Sequence, residues 1–77
     1  MPTDTTTDAE RFAYGSVQDY AATIRDNAAD SHDTYVEASA IVGAIADCGH
    51  LSETERLARI RNVLAAAKQV REEMRAP

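Results

Sequence analysis

Residues 26–34 read DNAADSHDT. They determine whether the first half of the chain is two helices or one. Asp, Asn, Ser and Thr compete with the backbone for hydrogen bonds and favour caps and turns. Asp30, Ser31 or Asp33 can cap a helix here, and Thr34 with Glu37 has capping-box spacing. These signals predict a break. Yet apolar or small residues recur by threes and fours straight through, at 17, 21, 24, 28, 31, 35, 38, 42 and 45. A continuous helix of some 40 residues, about 60 Å long, is the alternative. It could not be covered by the short segment that follows and would need a second subunit.

Outward from this stretch, the chain reads as helix in both directions. Proline stands only at Pro2 and Pro77, alanine is abundant, and no strand-like alternation runs for any length. The expectation is an all-α domain over residues 7–77 after a flexible tail at 1–6, with helices at about 8–28, 33–48 and 52–75. Thr7 and Glu10 have the spacing to open the first helix. Its apolar set is Phe12, Ala13, Val17, Tyr20, Ala21, Ile24 and Ala28, with Gly15 a weakening inside it. The second helix carries the stripe Tyr35, Ala38, Ile41, Val42, Ile45 and Cys48. A further face of small residues, Ser39, Ala40, Gly43 and Ala44, would let a neighbour come close. In the third, Ser52 and Glu55 form a capping box. Its stripe is Leu57, Ile60, Val63, Leu64, Ala67, Val70 and Met74.

Between the second and third helices lies Gly49-His50-Leu51. A DNA-reading helix-turn-helix wants a small residue four before the turn glycine and an apolar one about six after it. Those places hold Ile45 and Glu55, a bulky residue and a charge. Gly49 fits a helix C′ position, with Leu51 making the apolar contact after it. The corner reads as a helical hairpin.

The chain has 77 residues, which is one domain at most, and a core this small is marginal. Cys48 is the only cysteine, so an internal disulfide is impossible. Large apolar side chains are few for three helices. A small three-helix bundle or long-helix hairpin completed by homodimerisation is therefore expected. No apolar run approaches the roughly 20 residues needed to cross a bilayer. The first ten residues are polar and acidic, unlike a signal peptide. A cytoplasmic protein is expected, and the excess of arginine over lysine hints at a bacterial or phage source.

Net charge is −5 and unevenly placed. Residues 1–50 carry nine acids against Arg11 and Arg25, whereas residues 51–77 carry six bases against four acids. The acidic front disfavours nucleic acid and suits pairing with the basic end, within a chain or between chains.

Chemistry-bearing patterns are sparse. Cys48-x-His50 has no second ligand pair at zinc spacing, and His32 lies a helix away. Cys48 continues an apolar stripe and reads as a packed thiol rather than a nucleophile. There is no phosphate-cradling glycine loop, His-Glu-x-x-His or nucleophile elbow. No enzyme, cofactor or metal is expected. The expected function is a protein-binding module, a small acidic adaptor or inhibitor docking on a larger partner. Its candidate contacts are Tyr14, Asp19, Asp26, Asp30, Asp33 and Glu37. In one version these acids mimic nucleic acid in a basic groove. The alternative is a dimeric nucleic-acid-binding regulator contacting phosphates through Arg56, Arg59 and Arg61.

Overall fold

A computed structural model describes residues 15–75. Among them the chain is all-helical: α1 is Val17–Asn27, α2 Asp33–Ala46 and α3 Glu53–Arg75, with no strand.

The break between α1 and α2 is real and made by side chains. Ala28 leaves the helix with φ −81° and ψ 131°, while its N–H still donates to the Ile24 carbonyl at 2.8 Å. Asp30 Oδ1 accepts from the Asp33 N–H at 3.0 Å, and Asp33 Oδ2 accepts from the Ala29 N–H at 3.1 Å. Thr34, fully buried, donates from Oγ1 to the Ser31 carbonyl at 2.7 Å. The three side-chain bonds take up backbone groups that a continuous helix would have paired with one another. The forty-residue helix is thereby excluded, and Thr34 serves inside α2 rather than as its cap.

Two boundaries differ from expectation. The first helix does not run unbroken from residue 8, because Ser16 is extended (φ −86°, ψ 157°) and caps α1. Its Oγ accepts from the Asp19 N–H at 3.1 Å and donates to Asp19 Oδ2 at 2.8 Å. Gly15 stands in the turn before this cap rather than inside a helix. The proposed start at Thr7 and Glu10 lies outside the described residues. At the other corner α2 stops at Ala46, short of Cys48. Gly49 does not take the positive φ of a left-handed C′ residue. The turn closes through Cys48 N–H to Ile45 O (3.1 Å) and Leu51 N–H to Cys48 O (3.4 Å). Arg56 Nη1 also donates to the Cys48 carbonyl at 3.1 Å. α3 opens on a capping box: the Glu55 N–H donates to Ser52 Oγ at 3.1 Å and the Ser52 N–H to Glu55 Oε1 at 3.2 Å.

The helices run up, down, up. Asn62 Nδ2 donates to the Gly15 carbonyl at 2.6 Å near the start of α1, and Arg25 pairs with Glu73 near its end. α1 is therefore parallel to α3. α2 runs antiparallel to α3, from the Tyr35–Arg71 contact to the Arg56–Cys48 bond. α3, about 35 Å long, is the element on which both others lie.

The buried apolar set is Tyr20, Ala21 and Ile24 from α1, Ala38 and Ile45 from α2, and Val63, Ala66, Ala67 and Val70 from α3. Four of these nine are alanine, each contributing little apolar area. Tyr35, Leu57 and Leu64 were expected in the core stripes and are instead exposed, at 46%, 52% and 54%. On α3 the inward face is centred on Val63, Ala66, Ala67 and Val70, and Leu57 and Leu64 lie on its flank. On α2 the inward face follows Thr34, Ala38 and Ile45, which carries Tyr35 outward by about 100°.

Candidate docking surface

Most of the acids expected to meet a partner are occupied by the fold. Asp19 answers the Ser16 cap, and Asp30 and Asp33 tie the α1–α2 turn. Asp26 is exposed at the end of α1 and Glu37 half-buried on α2. Asp30 and Asp33 share the α1–α2 turn, whereas Asp19 lies at the opposite end of α1. Tyr14 lies outside the described residues.

The three arginines of the alternative reading are also separated. Arg56 is bound to the Cys48 carbonyl and lines a groove with Ala46, Glu53, Leu57 and Ile60. Arg59 lines a different cleft with Ala44, Ile45, Cys48 and Leu51. Arg61, five residues after Arg56, is turned about 140° from it and exposed.

Pairing of the acidic front with the basic end takes an inverted form. Among the described residues the ion pair joins a base of the front to an acid of the end. Arg25 Nε and Nη2 donate to Glu73 Oε1 and Oε2, both at 3.0 Å. This two-pronged contact holds the Glu73 carboxyl below the usual carboxylate range and raises Arg25. Gln69 Nε2 adds a longer bond to Glu73 at 3.4 Å.

What stands open is the side of the α2–α3 hairpin that α1 leaves bare. There Tyr35 and Leu57 reach the surface with Leu64, and the groove between Ala46, Leu57 and Ile60 is open. The Arg71 guanidinium lies over the Tyr35 ring at 5.0 Å, a cation–π contact bridging the two helices. On α2 every exposed residue from Tyr35 to Ala46 is uncharged, whereas a solvent-facing helix ordinarily carries charge there. Gly43 belongs to this outward face, and an added Cβ would meet nothing within 4 Å. No sequence signal separated these side chains from the core, because exposure depends on where α1 packs.

No protein family, curated protein or solved structure matches this chain. The surface must be read from its own chemistry. Among the described residues no group of three or more His, Cys, Asp or Glu side chains is arranged to hold a metal ion. Among them no helix is long and apolar enough to cross a membrane. His32 and His50 are exposed in the two turns, and Cys48 is half-buried.

Proposed function

We propose that this protein is a non-enzymatic binding module, a small acidic helical adaptor or inhibitor that docks on a larger protein. One observation carries the reading: Tyr35, Leu57 and Leu64 lie exposed on the side of the α2–α3 hairpin away from α1. A chain with so few large side chains gains stability by burying them, and leaving these three outside, with Val36 exposed as well, has a cost that binding recovers. The docking face is thus the hairpin side, not the acidic contacts suggested by charge alone.

Self-association belongs to the same reading. The four-alanine core is thin, and the uncharged outward face of α2 around Ala40 and Gly43 suits a second copy. Light scattering at micromolar concentration is expected to give about twice the 8.4 kDa chain mass. Ala40→Glu, on an exposed site, is expected to return it to one. A single-chain mass for the unmodified protein removes the dimer.

Docking is tested by affinity capture from the native host with two baits, the natural chain and a Leu57→Asp, Leu64→Asp variant. A protein retained by the first and lost by the second supports the reading. Equal recovery, or none above background, defeats it.

A further inference from the structure

On α3, residues 57, 61, 64, 68, 71 and 75 follow one another by alternating steps of four and three. That spacing draws a single stripe along a helix. The stripe reads Leu57, Arg61, Leu64, Lys68, Arg71, Arg75. It holds two exposed leucines, four bases and no acid; Glu53 lies one turn before it and Glu72 beside it. None of the four bases has a hydrogen-bond or ion-pair partner among the described residues. Arg71 is the most constrained: its Nε is buried without a hydrogen-bond partner and its guanidinium lies over the Tyr35 ring. On a chain of net charge −5, four cations in one line with no acid paired to them among the described residues are a local reversal of sign.

From this juxtaposition we propose that the Leu57–Arg75 stripe is the seat of an acidic amphipathic helix of a partner protein, its apolar side chains against Leu57, Leu64 and Tyr35 and its carboxylates against Arg61, Lys68, Arg71 and Arg75. The proposal rests on the docking reading above and names the partner's chemistry. Leucines within the stripe favour a helix over bare phosphate, which would meet only the bases. The overall negative charge of the chain works against nucleic acid in the same direction. A second copy fits poorly on this stripe. Antiparallel pairing about its middle would set Leu57 against Arg75, Leu64 against Lys68 and Arg61 against Arg71, so each leucine would meet a base and two arginines would face each other.

Two labelled helical peptides of about 18 residues test the idea, with identical leucine faces flanked by glutamate in one and lysine in the other. Fluorescence anisotropy against the full chain at low salt is expected to show binding of the glutamate peptide only. Arg61→Glu with Lys68→Glu, both exposed, is expected to weaken it by about tenfold or more. Leu57→Ala with Leu64→Ala is expected to weaken it comparably, and added salt to weaken it progressively. Equal binding of both peptides overturns the acidic partner but leaves the docking face standing. Failure of both overturns the two together. Tighter binding of a 20-base-pair duplex than of the glutamate peptide replaces the helix with nucleic acid. A mass increase abolished by the leucine variants replaces it with a second copy.

Discussion

A methyl group added at position 49 meets nothing within 4 Å, and the backbone there makes no use of positive φ. Gly49→Ala is therefore expected to leave the corner intact and raise stability by about 0.4–1 kcal/mol, through a less free unfolded chain. Urea denaturation measures it, and a loss of stability would point to a left-handed residue. Glu73 offers a pH test. Its folded pKa is lowered by the Arg25 hydrogen bonds. The pair's contribution is thus full above the unfolded carboxylate pKa and is lost as pH falls through the depressed folded value. Both side chains are exposed, so the effect is small and screened by salt. Carboxyl NMR is expected to place the Glu73 midpoint below that of an unfolded glutamate, and Arg25→Met to move it up. Thr34 shows what residue type alone left ambiguous. Its hydroxyl is a common cap, but in this fold it is a buried donor to Ser31. Thr34→Val keeps the shape, loses that bond, and is expected to cost about 1 kcal/mol by the same denaturation.

Helices end where side chains offer the backbone another partner, and the caps carry that at the scale of elements. Ser16 and Ser52 each accept from the N–H three residues on, so each alanine replacement is expected to cost about 1 kcal/mol. Thermal unfolding with both single variants checks it, and an unchanged midpoint for Ser16→Ala would restore a helix running through Gly15. α3 was legible in advance because Ser52-Glu53-Thr54-Glu55 is a complete start signal. α1 begins later than expected because Ser16 caps it, whereas Gly15 alone reads as a weak spot within a helix. With Asp19 three residues on, the same letters specify a start. The break at 28–32 was legible as composition, but the apolar register running through it argued the other way. That register persists because two helices joined by a short turn both face α3.

For the whole molecule, periodicity revealed that faces exist but not which of them find a neighbour. Leu57, Val63 and Leu64 all sat in one broad stripe of α3, and only the position of α1 and α2 buried Val63 and left the leucines out. The candidate site was illegible for that reason. Charge pointed to the acids, yet Asp19, Asp30 and Asp33 are consumed by caps, while the unpaired bases lie beside the exposed leucines. The docking face can be located directly by amide chemical-shift mapping of the full chain as the glutamate-flanked helix is added. The expected result is shifts concentrated at Tyr35, Leu57, Arg61, Leu64, Lys68 and Arg71. Shifts centred on Asp19, Asp26 and Asp30 instead, or none at saturating peptide, would contradict the account.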